Sequence, residues 1–338
     1  MHPRPRPIPL PARRRHPRRS GPAVVPGGST DGGGGADGRT RGAAARTSST
    51  ALAAAALLAA CSGSDADDPA ADADAAAVVV MASFYPLQFV VERVGGEHVS
   101  VDNLTPPGAD PHSLELSPAE VAQLESVDLV TYVPGLQAAT DDAIGVTDPA
   151  AVLDAAEAAG VAEDDLARDP HFWLDPTLVV PLVDGVADTL GDLDPENAED
   201  YAERSADLVA ELTDLDDAYR EGLAACAGAT LVTSHEAFGY LAERDGLEQV
   251  GISGIDPEVE PSPARLREVG EVVRAEGVQT LYFEVIAGPD VVEALAADLD
   301  VDTDVLDPIE GQTDPDADYL DVMRSNLAAL ERGLVCDG

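Results

Sequence analysis

Six histidines occur in the 338 residues, and four of them lie beyond residue 61: His98, His112, His171 and His235. His171 sits in Asp169-Pro170-His171-Phe172-Trp173-Leu174-Asp175-Pro176, which also holds the only tryptophan of the chain. Each proline removes an amide donor and restrains the residue before it, so no regular helix runs through this stretch and His171 is placed on a constrained loop. The apolar Phe172, Trp173 and Leu174 follow at once and should anchor that loop, fixing the direction of the imidazole. His112 ends a Pro-rich loop, Asn103 to His112. His235 stands at the end of the apolar run Thr230-Leu231-Val232-Thr233-Ser234, and Glu284 and Asp307 each follow an apolar strand. One histidine in such a place is more often structural than functional, but three together with a carboxylate can converge on one cleft. Three neutral imidazoles plus one carboxylate, either Glu284 or Asp307, match a four-coordinate Zn²⁺ site. His98, on a turn before a strand, reads as surface.

The elements that must position these residues alternate between strand and helix. Val78 to Ala82 reads as a buried parallel strand, Pro86 to Val94 as the helix after it and Val99 to Val101 as a second strand. Ser117-Pro118-Ala119-Glu120 opens a helix with a capping box, and Val127 to Val133 completes a strand-helix-strand unit. In such units ligands bind at the carboxyl ends of the strands. Ala150 to Arg168 reads as helical, as does Thr177 to Leu190. Asp194-Pro195-Glu196 then starts a helix running to about Ala225, roughly 45 Å long at ~1.5 Å per residue, longer than one lobe needs. Strands follow at 230–234, 280–283 and 304–306, with helices at 265–275, 290–299 and 318–333. The division expected is a leader with export signal (1–60), an acidic tether (61–76), an N-terminal α/β lobe (77–194), a linker helix (195–225) and a C-terminal α/β lobe (226–338).

The leader is low in complexity, rich in Pro and Arg and then in Gly. After Arg39, Arg41 and Arg46 comes an apolar stretch, Ala51 to Ala60, too short to span a bilayer but suited to the core of an export signal. Leu58-Ala59-Ala60-Cys61 resembles the lipobox of bacterial lipoproteins, which implies cleavage before Cys61, its lipidation, and an extracytoplasmic protein anchored to the membrane. Residues 1–61 hold ten of the 20 basic side chains and two of the 64 acidic ones, which leaves ten against 62, a formal net charge of −52 on the remainder. A field of that sign repels nucleic acid and draws cations toward a cleft.

Four motifs, in order and at the right spacing, resemble the metal-site motifs of the zinc- and manganese-binding lipoproteins of bacterial ABC importers. They are Pro107-Gly108-Ala109-Asp110-Pro111-His112, Asp169 to Pro176, Thr233-Ser234-His235-Glu236-Ala237-Phe238-Gly239-Tyr240 and Val305-Leu306-Asp307-Pro308. The resemblance covers about residue 78 to the C-terminus. It implies two similar α/β lobes joined by a single long helix, with the metal in the interlobe cleft, held by His112 and His171 from the first lobe and His235 and Asp307 from the second. It implies no enzyme but a monomeric carrier that takes Zn(II) as cargo and passes it to an importer permease. His235 stands where manganese members typically carry glutamate, which argues for zinc; Glu284 and Glu236 are the supporting or alternative ligands. The loop between the first two ligands carries no histidine-rich run, unlike many zinc members. Other readings are a manganese-binding homologue, a metal-dependent adhesin and a zinc hydrolase with Glu284 or Glu236 activating water, although no HExxH motif is present. Cys226 and Cys336 flank the second lobe, and in an exported protein they are expected to form a disulfide.

Overall fold

The computed structural model describes residues 77–336; the leader, Cys61 and the tether lie outside the described residues. In chain order the elements are β1 (Val78–Ala82), α1 (Tyr85–Gly95), β2 (Val99–Asn103), α2 (Pro118–Gln123), β3 (Leu129–Tyr132), α3 (Ala138–Thr147), β4 (Val152–Asp154), α4 (Ala155–Ala158), α5 (Glu163–Leu166), α6 (Pro176–Leu193) and α7 (Ala198–Gly222). They continue with β5 (Thr230–Thr233), α8 (Gly239–Asp245), β6 (Glu248–Gly251), α9 (Pro263–Glu276), β7 (Thr280–Phe283), α10 (Asp290–Leu299), β8 (Asp302–Val305) and α11 (Tyr319–Gly333). The strands form two four-stranded sheets of the same order, β2-β1-β3-β4 and β6-β5-β7-β8. All pairings are parallel, Val80 opposite Val101 and Leu129, and Val232 opposite Val250 and Leu281. These are two α/β lobes built on one plan, as the alternating pattern predicts.

The long α7 is 25 residues and packs most extensively on α6. Val179, Leu182, Val183, Val186 and Leu190 recur at helical spacing on α6 and meet Tyr201, Leu208, Leu212 and Leu215 of α7, all in one core cluster. Burying each such side chain stabilises the pair by ~1.5–3 kcal/mol, and Leu208→Ala would cost ~2–5 kcal/mol. The capping box at Ser117 forms in both directions, Oγ accepting from Glu120 N–H at 3.3 Å and Glu120 Oε2 from Ser117 N–H at 2.6 Å.

Two expectations need correction. The stretch 150–168 is not one helix: strand β4 takes Val152–Asp154 as the edge of the first sheet, and Asp154 then caps the short α4 through Glu157 N–H. Its run of alanine and acidic residues suits a helix locally, but pairing with β3 overrides that propensity. Between β5 and β7, α8 and the edge strand β6 appear where no element was foreseen, because four polar-rich residues give no legible period.

Candidate metal centre

The two first-lobe histidines are built by the same local device. In Asp110-Pro111-His112 the Asp110 carboxylate accepts from His112 N–H at 2.8 Å, and in Asp169-Pro170-His171 the Asp169 carboxylate accepts from His171 N–H at 2.9 Å. Proline fixes the middle residue and the aspartate closes an Asx turn, so the third residue points in a set direction. Asp169 Oδ1 also meets His171 Nδ1 at 2.8 Å, holding the ring as well as the backbone. Behind it Trp173 is buried against Phe84, centroids 4.7 Å apart, the anchor expected from the sequence. His235 follows β5, its Nδ1 2.7 Å from Glu284 Oε1, which also accepts from Ser234 Oγ at 2.7 Å.

The three rings turn their Nε2 atoms toward one carboxylate oxygen, and it belongs to Glu310. Glu310 Oε1 lies 3.0 Å from His112 Nε2, 3.0 Å from His171 Nε2 and 3.4 Å from His235 Nε2. His112 Nε2 and His171 Nε2 stand 3.3 Å apart. Ligands at ~2.0–2.2 Å from a tetrahedral Zn²⁺ are separated by roughly 3.3–3.6 Å; the 3.3 and 3.4 Å separations here fall in that range, and all four donor atoms lie within 4.8 Å of one another. Both Nδ1 atoms that face carboxylates act as donors there, so it is the Nε2 atoms that would lose their protons and offer lone pairs to a metal. His235 Nε2 is buried without a hydrogen-bond partner, a cost that a cation at the centre would remove.

Electrostatics agree. Burial opposes charge on His171, yet hydrogen bonds to Asp169 and Glu310 outweigh it and raise the pKa. At His235 burial again opposes, and the Glu284 and Glu310 carboxylates raise the pKa to about 10. Burial would likewise raise Glu310, but the three imidazoles hold it well below the usual carboxylate range. The pocket thus favours positive charge surrounding one ionised carboxylate.

Of the ligands expected from the sequence, His112, His171 and His235 come together; Asp307 does not join them. Asp307 is the turn-maker of a third Asp-Pro device, its Oδ1 accepting from Ile309 N–H at 2.8 Å. Burial raises its pKa to about 6, against the opposing hydrogen bond from Ile309. The turn delivers Glu310 instead, through Ile309 at φ 58°, a conformation that costs a β-branched residue about 1–3 kcal/mol. Sequence reasoning missed Glu310: in the first two Asp-Pro motifs the donor stands two residues after the aspartate, whereas here that position is Ile309 and Glu310 lies one residue further on. Glu284 is a support for His235, whereas Glu236 is outside the cluster, 3.5 Å from Arg265. His98 is away from the site, 3.0 Å from Asp200. Cys226 and Cys336 form a disulfide.

The cluster is enclosed. Side chains of His171, His235 and Glu310 are 0–1% exposed and that of His112 is 11%. His112 borders a cleft of about 410 Å³ lined by Leu136, Glu163 and Arg168 of the first lobe and Ile255 of the second. A larger groove of about 550 Å³ between α9 and α10 lies elsewhere and contains none of the four donors.

Several known proteins resemble this chain. The high-affinity zinc uptake system protein ZnuA of Bacillus subtilis is 31% identical over 242 residues, 66% of this chain and 76% of that protein. The zinc-binding lipoprotein AdcA of Streptococcus pneumoniae is 33% identical over 242 residues, and the chain spans 48%, about half, of its length. The Zn(II)-bound ZnuA-like domain of S. pneumoniae AdcA superposes with a TM-score of 0.67 at 32% identity, covering 76% of this chain and 98% of that one. The laminin-binding protein Lmb of Streptococcus agalactiae, described as having adhesin and metal-transporting activity, gives 0.71 at 32% identity, covering 76% and 99%. A family model described as zinc-uptake complex component A, periplasmic, matches residues 80–333, so this chain belongs to the ZnuA family.

Proposed function

We infer that the protein is an extracytoplasmic solute-binding protein that captures Zn(II) through His112, His171, His235 and Glu310 and hands it to the permease of an ABC importer. The observation that carries this reading is the group itself: one donor atom from each of the four residues, all within 4.8 Å of one another. Three imidazoles with one carboxylate suit zinc better than manganese, which prefers oxygen donors and a higher coordination number. Four protein donors would leave no open position for a catalytic water, which weighs against the hydrolase reading. His112 and His171 come from the first lobe and His235 and Glu310 from the second, so parting the lobes would dismantle the site, as release of cargo requires.

Around this core the expected arrangement is a leader removed before Cys61, a lipid anchor on that cysteine, the acidic tether 61–76 and a monomer with lobes 77–194 and 226–338 joined through 195–225. No helix among the described residues is long and apolar enough to cross a membrane. The test is titration of metal-stripped protein against a zinc-competing chelator, with metal analysis of the isolated protein. One zinc per chain and weaker binding of manganese are expected; stoichiometric manganese with little zinc would overturn the assignment.

A further inference from the structure

The carboxylate that completes the cluster is carried on a turn with no regular secondary structure, and three backbone polar groups just before it, Asp307 N–H, Asp307 O and Pro308 O, are held by side chains from elsewhere. Asn326 of α11 uses both ends of its amide on one residue: its Oδ1 accepts from Asp307 N–H at 2.9 Å and its Nδ2 donates to Asp307 O at 2.7 Å. Trp173 Nε1 donates to Pro308 O at 2.8 Å, and Asp307 Oδ1 accepts from Ile309 N–H at 2.8 Å. Trp173 is itself fixed, because Tyr319 of α11 donates its hydroxyl proton to Trp173 O at 2.6 Å. Trp173 and Asn326 are 1% and 2% exposed. Buried irregular backbone needs such partners, but these partners are concentrated on the three residues that precede Glu310 and include one with φ 58°.

We propose that Asn326 and Trp173 are positioning residues for Glu310, forming a clamp that holds one carboxylate oxygen against the three imidazoles. The inference rests on the reading of the four-donor group as a zinc site. Trp173 stands two residues after His171 in the first lobe, and Pro308 two residues before Glu310 in the second, so one hydrogen bond registers the His171 loop against the Glu310 turn across the lobes. A clamped Glu310 turns a single oxygen, Oε1, toward all three Nε2 atoms. That suits a four-coordinate ion. A loosened carboxylate could offer both oxygens and accommodate the higher coordination number of manganese.

The experiment is a double-mutant cycle on the full chain, reading zinc and manganese dissociation constants by chelator competition and the melting of each metal-free variant. Asn326→Ala and Trp173→Phe should each weaken zinc binding about 10- to 100-fold and narrow the preference for zinc over manganese, since supports of metal ligands have effects of that size. In a Glu310→Gln background the same substitutions should cost less than about threefold, because there the group they position is already lost. Equal losses in both backgrounds, or an unchanged preference between the metals, would show that the clamp is merely structural and overturn the proposal. Should Asn326→Ala fail to fold, the Trp173→Phe cycle decides alone. If Glu310→Gln itself leaves zinc affinity intact, the four-donor reading falls as well, an outcome separate from failure of the clamp.

Discussion

The dipeptide Asp-Pro does the same work at six places in this chain: the aspartate accepts from the N–H two residues on at His112, His171, Thr177, Glu258, Ile309 and Asp316. That repetition separates the two candidate carboxylates at the fourth position of the site. An aspartate spent on its own turn is a poor candidate for a ligand, and Glu310, carried beyond the turn, faces the imidazoles. Glu310→Gln should therefore weaken zinc binding at least about 100-fold, whereas Asp307→Asn, which keeps the acceptor oxygen of the turn, should cost less than about tenfold. Chelator competition on the two variants checks this, and the reverse order would return the ligand role to Asp307. By the same measurement His171→Ala should be far more damaging than His98→Ala, because His98 lies away from the cluster, 3.0 Å from the exposed Asp200 and edge-on to the buried Tyr201. The histidines were legible in the sequence because His112 and His171 each follow a proline on a loop and His235 follows an apolar strand. Glu310 was not, because its place depends on a positive φ at Ile309 that a β-branched residue seldom adopts and that tertiary hydrogen bonds impose.

Elements with strong apolar periods, such as α6, α7 and the central strands, could be read from the sequence, and the edge strands β4 and β6 could not, since at three and four residues they are too short to show a period and their pairing is decided by neighbours. The short α8 is fixed to α7 by a bidentate ion pair, Arg244 Nε and Nη2 each 2.7 Å from an Asp216 oxygen. Beside it Asp245 has a buried Oδ1 with no hydrogen-bond partner. Burial, then Asp216 and Asp175, raise its pKa to about 6, against Arg244 and Arg220, which lower it. A carboxyl whose folded pKa exceeds its unfolded value near 3.9 favours the fold below that value and loses this contribution as pH rises through about 6. Asp245→Asn should accordingly stabilise the protein at pH 8 by about 1 kcal/mol, a figure reduced for the partial exposure of the group, and should have little effect at pH 4. Thermal melts at the two pH values check the sign. At the other end of the second lobe the Cys226–Cys336 disulfide closes a separation of 110 residues and ties the end of α11 to the entry of β5. Replacing both cysteines by serine should destabilise the metal-free protein by up to about 4.7 kcal/mol. A melt unchanged by the replacement would mean that α11 is held by Tyr219 and its other buried contacts alone.

At the scale of the whole molecule the site joins the two lobes, so metal binding and folding are linked. The unfolded chain cannot present His112, His171, His235 and Glu310 together, and zinc at about 100 times its dissociation constant should add roughly 2.7 kcal/mol to the stability of the full chain. Protons compete for the same nitrogens. Without metal the raised pKa values of His171 and His235 give the fold a contribution that is complete below the unfolded histidine value near 6.5 and is lost as pH rises, for His235 through about 10. Zinc requires the unprotonated rings, so its binding displaces those protons, and its stabilisation runs the opposite way, growing as pH rises and fading as it falls. Melts with and without zinc should show a difference that is large at pH 8 and small at pH 5, followed by the fluorescence of the buried Trp173 two residues from His171. Binding in a weakly buffered solution near pH 7.5 should release protons measurably. A zinc-induced shift in melting that stayed constant down to pH 4 would be incompatible with three imidazole donors, and one larger with Mn²⁺ than with Zn²⁺ would reassign the cargo.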